Sequence, residues 1–158
     1  MTLTIRKTTR DDVGAVNGLL QDFAKFENLE QFCEITEDKL VDAMFGKDAF
    51  VEGIIAYDGE KAVAYAVFYP NFASFRGQKG LYLEDIYIDA EYRGKGIGDG
   101  MLKEIAKIAK SRGFDRIDFQ VLDWNTPAIR FYEKHGAVRD EDERHYKFTD
   151  KAFETLAK

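Results

Sequence analysis

A strand-like run, Leu81 to Ile88, leads into Tyr92-Arg93-Gly94-Lys95-Gly96-Ile97-Gly98-Asp99-Gly100, and a helical pattern follows. No other segment limits the fold so strongly. Glycines at alternate positions let the backbone approach a ligand, and successive N–H groups converge on one spot. The positive end of the helix that follows adds to the field, so strand, loop and helix together make an anion site suited to phosphate. A bare turn needs one or two glycines; Gly94, Gly96, Gly98 and Gly100 are four. A Walker loop needs Gly-Lys followed by Ser or Thr, and Gly94-Lys95 is followed by Gly96. A dinucleotide fingerprint needs glycines at relative positions 1, 3 and 6. Counted from Gly94 the last of these is Asp99, and from Gly96 it is Met101, so that motif fails as well.

The flanking sequence places the loop. Leu3, Ile5 and Lys7 begin a short strand. Thr9, with Asp12 three residues on, caps a helix whose apolar stripe is Val13, Val16, Leu20 and Phe23, ending near Phe26. Thr36 caps a second, short helix carrying Leu40 and Met44. Phe50 to Tyr57 and Ala62 to Tyr69 read as a hairpin turned by Asp58-Gly59. Pro70 stops the second of these strands, and Asn71 to Gly80 reads as a loop. Met101, Leu102, Ile105, Ile108 and Ala109 mark the helix after the glycines, closed near Gly113. Ile117, Phe119 and Val121 alternate as a strand. Thr126 caps a helix with Pro127 at its first position, and Gly136 closes it. His145 to Phe148 reads as a last strand. Hairpin strands followed by two strand–helix units predict a mixed α/β sheet flanked by helices.

The 158 residues, 45% hydrophobic and 33% charged, suit one domain spanning 1–158. Against 29 acidic residues stand 23 basic ones, a net charge of −6. That disfavours nucleic acid, which wants basic surface, and mildly favours a cationic substrate. No apolar run approaches the ~20 residues of a membrane span, and the N-terminus lacks the apolar stretch of a signal peptide. A lone cysteine, Cys33, fits a reducing cytoplasm. Cys33, His135 and His145 lie too far apart to suggest a metal site, and none is expected.

Arg93-Gly94-x-Gly96-x-Gly98 resembles the coenzyme A loop of the GNAT superfamily of N-acetyltransferases. The resemblance extends over nearly the whole chain, through Leu81-Tyr82-Leu83-Glu84-Asp85, Trp124-Asn125-x-Pro127, Phe131-Tyr132 and Gly136-Ala137. It is nearest to the spermidine/spermine N-acetyltransferases and their thialysine-acetylating relatives. It implies the GNAT fold, a mainly antiparallel mixed sheet whose central parallel strands splay apart, and acetyl-CoA as cosubstrate. The backbone of Ile86, Tyr87 and Ile88 would hold the pantetheine arm like an added strand. Arg93, Gly94, Lys95, Gly96, Ile97, Gly98 and Asp99 would receive the pyrophosphate, and Asn125 would contact the cofactor.

For catalysis the resemblance selects Tyr132 as the acid that protonates the leaving thiolate, a role its phenol suits. Alkylamines have pKa ~10.4, so freeing the amine at pH 7 costs about 4.6 kcal/mol and requires a base. Glu84 and Asp85 match the family's acidic pair. Neighbours on a regular strand point to opposite faces, so only one faces the substrate, and the resemblance makes it Glu84. Phe26-Glu27 matches an aromatic–acid pair of the amine site. Phe75 and Glu143 are offered as further substrate contacts, although by themselves both read as surface residues. Phe75 stands where the polyamine enzymes carry tryptophan, and Arg76 and Lys79 add positive charge, which leaves smaller or zwitterionic amines open. The implied activity is direct acetyl transfer to the primary amine of a polyamine, diamine or thialysine-like acceptor. Acetylation of a protein lysine or N-terminus, and a silent acyl-CoA-binding module, are the alternatives. The family also implies a homodimer.

Overall fold

In residues 1–120 the alternation of apolar side chains builds one five-stranded sheet. β1 (Leu3–Lys7), β2 (Glu52–Asp58), β3 (Lys61–Ala73), β4 (Gln78–Ile88) and β5 (Arg116–Phe119) lie side by side in that order. All neighbours are antiparallel except β4 and β5, which are parallel. The structure is a computed structural model describing residues 1–158, and the chain divides into two units, residues 1–120 and 121–158.

Asp58-Gly59 turns β2 into β3, with Gly59 at φ +59°. Pro70 does not end β3, contrary to the sequence expectation. The last β2 partner on β3 is Phe68, opposite Glu52. Beyond it β3 pairs on one side only, and a proline without an N–H can sit on the open side. The reversal expected over ten residues therefore shrinks to Ser74–Gly77, where the Gly77 N–H donates to the Ser74 carbonyl at 3.1 Å.

Helices cover both faces. α1 (Val13–Phe26) and α2 (Glu37–Phe45) pack Val13, Val16, Leu19, Leu40 and Met44 against Tyr65, Val67 and Tyr87. α3 (Ile97–Ser111) packs Ile97, Met101, Ile105 and Ile108 against Ala64, Ala66, Phe68, Leu81 and Leu83 on the opposite face. Each of these large α3 side chains contributes about 1.5–3 kcal/mol by leaving water. The Thr36 hydroxyl caps α2, accepting the Lys39 N–H at 3.2 Å. Asp12 accepts the Thr9 N–H at 2.7 Å, and a single 3₁₀ turn over 10–12 precedes α1.

The β3–β4 ladder contains one irregularity. Val67 pairs with Asp85, but the next pair is Phe68 with Leu83, so Glu84 has no partner and forms a bulge. The facing of β4 changes there. Leu81 and Leu83 before it, and Ile86 and Ile88 after it, all belong to the α3 side. The β4–β5 pairing covers only Gly80–Leu83 and Arg116–Phe119, while β4 continues to Ile88. The parallel pair expected at the centre is thus the last pair of the sheet, and β5 stops short of Val121.

Residues 121–158 hold α4 (Thr126–Lys134) and α5 (Asp150–Leu156). Asn125, not Thr126, is the N-cap of α4: its Oδ1 accepts the Ala128 N–H at 3.3 Å. Gly136, at φ +91°, follows the end of α4 as expected. The strand expected at His145–Phe148 does not form. A strand persists only when its backbone groups find a ladder, and residues 145–148 are irregular. Tyr146 and Phe148 are exposed.

Candidate active site

The bulge at Glu84 changes which groups share a face. Tyr65, Val67 and Tyr69 alternate along β3, and Tyr65 and Val67 lie on the α1 side, so Tyr69 does too. The Tyr65 hydroxyl donates to Asp85 Oδ2 at 3.0 Å, and the Tyr69 hydroxyl donates to Glu84 Oε2 at 3.1 Å. Both acids therefore stand on the α1 side, which corrects the expectation that adjacent strand residues must diverge. A bulge puts an extra residue into one strand and re-aims its side chains.

Glu27, immediately after α1, joins this pair: its charge acts on both Asp85 and Tyr65. Burial pushes the Glu27 carboxyl up. Asp85 is pushed up to about 6, chiefly by burial, with the charges of Glu84 and Glu27 adding to the effect and the Tyr65 hydrogen bond opposing it. Tyr65 is fully buried and its phenol is raised well above the ordinary value by loss of water. Tyr69 rises to about 12, through burial first and the neighbouring Glu84 second. Its ring stacks on Tyr82 at 5.4 Å between centroids. Sequence reasoning missed Tyr65 and Tyr69. Their spacing of four on a strand signals a common face, but their pairing with the acids depends on the β3–β4 register.

The glycine loop has the form its sequence implies. Gly94 and Gly96 adopt φ +74° and +81°, a left-handed conformation that side chains disfavour. Gly96 is the N-cap of α3 and supplies no side-chain cap, at the end of a helix whose dipole suits an anion. The Ile97 side chain is core, so only its backbone can serve a ligand. Lys95 lies over the Tyr92 ring at 5.0 Å. Arg93 does more than line the loop. Its guanidinium lies 4.4 Å from the Phe26 ring centroid and 5.4 Å from that of Tyr87, and its Nε donates to the Ile88 carbonyl at 3.0 Å. Tyr87 in turn stacks on Phe23 at 5.3 Å. Phe26 and Glu27 are thereby tied to the loop. On β4, Ile86 and Ile88 turn their side chains to the α3 core, and Tyr87 turns its ring to the α1 core. What these three residues can offer a ligand is backbone, on a stretch of β4 beyond its last β5 pair. These features fit a phosphate-bearing thioester with an extended amide arm.

Phe75 is fully exposed in the β3–β4 turn with Arg76. From Gln78 to Glu84 is six residues, or about 20 Å of strand, so the turn and the acids are not brought together. In residues 121–158, Tyr132 is buried in α4, its ring edge-on to Phe131 at 5.2 Å between centroids. Asn125 is buried at the start of α4, and its cap bond gives it a structural task of its own. Glu143 is exposed in the irregular stretch that follows α4.

The sequence model of the acetyltransferase (GNAT) family matches residues 19–137. Over 141 residues the chain is 33% identical to a thialysine N-epsilon-acetyltransferase of Bos taurus, covering 84% of this chain and 82% of that one. It is 38% identical over 94 residues to an L-ornithine N5-acetyltransferase of Arabidopsis thaliana, covering 60% of this chain and 41% of the relative. An integron cassette protein from the mobile metagenome of V. cholerae has the same fold, with a TM-score of 0.84 at 23% identity, over 100% of this chain and 99% of that one. By that family match and by its identity with the bovine relative, this chain belongs to the GNAT family of acetyltransferases and is an N-acetyltransferase. No helix is long and apolar enough to cross a membrane.

Proposed function

We propose that the chain moves the acetyl group of acetyl-CoA directly to the primary amine of a small, flexible cation, with ω-amino acids of the thialysine type and short diamines as acceptors. The observation that carries this reading is the gathering of Glu27, Glu84 and Asp85 on one sheet face beside Phe26 and Tyr87. Carboxylates attract an alkylammonium, and aromatic faces accept its charge and its alkyl chain. The names of the bovine and Arabidopsis relatives, both acting on ω-amines of amino acids, support the acceptor class.

In this reading the amides of Gly94 to Asp99, with Lys95, hold the pyrophosphate. The backbone of Ile86, Tyr87 and Ile88 holds the arm, and Asn125 is assigned to the cofactor from its place in the family motif. When bound, acetyl-CoA supplies an activated thioester carbonyl. Phe26, Glu27, Glu84 and Asp85 bind and orient the amine, and Tyr132 gives its phenolic proton to the departing sulfur. Tyr132 is assigned from its place in the family motif. Phe75 and Glu143 are exposed, and the family resemblance alone offers them as acceptor contacts. One working domain over residues 1–158 is part of this reading, supported by a family match that covers residues 19–137. It acts in the cytoplasm as a homodimer. The exposed Tyr146, Phe148 and Phe153 are candidates to be covered by a second copy.

A thiol-release assay with acetyl-CoA and a panel of spermidine, putrescine, thialysine, lysine and a histone-like peptide tests the reading. Turnover highest on one small amine supports it. Turnover highest on the peptide favours protein acetylation. Acetyl-CoA binding without turnover on any amine favours a silent binding module.

A further inference from the structure

Glu84 and Asp85 share a face but not an environment. Glu84 is exposed, and its bond from Tyr69 lies at the surface. Asp85 is part-buried, and its Oδ2 is fixed by a tyrosine with no exposed surface at all. The bulge lets both side chains reach one substrate while keeping one of them in water and withdrawing the other. A carboxylate withdrawn from water takes up a proton more readily, and a general base works best when its pKa lies near the operating pH.

From this geometry we infer that Asp85, held by Tyr65, is the base that takes the proton of the acceptor's ammonium group, while Glu84 captures and orients the cation. This rests on the amine-acetylation reading above. The ammonium N–H bond breaks, its electron pair stays on nitrogen, and an O–H bond forms at Asp85. The freed pair attacks the thioester carbonyl. The C–S bond then breaks and its electron pair leaves on sulfur. The second nitrogen proton balances the one taken up by the thiolate, and Asp85 returns its proton to water, so one proton is released per turnover. Tyr65 is a positioning residue: its hydrogen bond favours the ionised carboxylate that must accept.

The groups that face Asp85 are Tyr65 and Tyr69 of β3, Glu84 of β4 and Glu27 after α1, with Cys33 acting on Tyr65. All are acidic or neutral. A single rise in rate governed by Asp85 is therefore expected on the acid side, near its value of about 6.

The test compares Asp85→Asn, Glu84→Gln and Tyr65→Phe on the best amine of the panel, with acetyl-CoA affinity measured for each. Asp85→Asn should lower kcat by about 10²-fold or more and abolish the acid limb of the kcat profile. Glu84→Gln should act mainly on the KM for the amine and leave that limb in place. Tyr65→Phe should move the limb to higher pH, a shift that mere structural damage would not give. Loss of the limb in Glu84→Gln, with the limb retained in Asp85→Asn, would overturn the assignment. A second readout needs no turnover: ¹³C NMR of aspartate-labelled protein, with the Asp85 resonance identified by its loss in Asp85→Asn. Titration near 6 supports the inference, and titration at an ordinary ~3.9 overturns it. Failure of the parent protein to acetylate any amine would instead count against the function proposed above.

Discussion

The guanidinium of Arg93 lies 4.4 Å from the ring centroid of Phe26, so the residue that opens the glycine loop also holds the end of α1. One side chain thus joins the glycine loop to the aromatic–acid pair at Phe26 and Glu27. Its Nε bond to the Ile88 carbonyl fixes it to the end of β4.

Arg93→Ala should therefore weaken both substrates. A cation–π contact at an exposed site is worth about 0.5–1 kcal/mol, and a charged hydrogen bond adds to it. KM for acetyl-CoA and for the amine should each rise by about 3–10-fold. Initial-rate kinetics in both substrates check this; a rise confined to acetyl-CoA would mean that Arg93 serves the phosphates alone.

Tyr132→Phe keeps the ring packed against Phe131 and removes the hydroxyl. If Tyr132 is the acid, kcat should fall by about 10²–10⁴-fold with little change in acetyl-CoA affinity. Steady-state kinetics beside a binding titration decide it, and a near-parental kcat would remove Tyr132 from that role.

Asp12 is a stability determinant outside the site. It is buried and accepts hydrogen bonds from Arg6 at 2.7 and 2.9 Å, from Tyr57 at 2.7 Å and from the Thr9 amide. The Arg6 bond is the chief cause that holds its carboxyl well below the usual range. A depressed carboxyl stabilises the fold above its unfolded pKa of ~3.9, and that contribution is lost as pH falls toward the folded value. Asp12→Asn should cost about 2–4 kcal/mol at pH 7. Urea unfolding at pH 7 and pH 3 should show the gap between the two proteins narrowing in acid.

Asp85 has the opposite sign. Its folded pKa is raised to about 6, so ionising it costs folding free energy, and wild-type stability falls as pH rises from ~3.9 through 6. Two units correspond to about 3 kcal/mol at most, and partial exposure reduces this to roughly 1–2 kcal/mol. Asp85→Asn should accordingly raise Tm at pH 7.5 by several degrees while activity collapses. Thermal melts at pH 4 and 7.5 check it, with the gain expected only at the higher pH.

Much of this was legible in the chain. Alternate glycines from Gly94 to Gly100, a 3.6-residue stripe through Met101, Ile105 and Ile108, and Asp58-Gly59 between apolar runs are local signals, and the loop, α3 and the hairpin obey them. What failed depended on partners distant in sequence. Pro70 reads as a stop until β2 is known to leave β3 after Phe68. Thr126 and Asn125 both cap well, and only the backbone selects Asn125. His145 to Phe148 has strand composition but no ladder. The bulge at Glu84 leaves one mark in the sequence, a change of phase from Leu81 and Leu83 to Ile86 and Ile88, but only the β3–β4 register shows that it turns both acids to one face.

The most direct measurement of the central claim is identification of the product formed from acetyl-CoA and thialysine, or the best amine of the panel, by mass spectrometry and NMR. One acetyl group in amide linkage on the acceptor's terminal amine is expected, formed in step with free coenzyme A. Free acetate with an unmodified amine, or no product from a protein that binds acetyl-CoA, would contradict it.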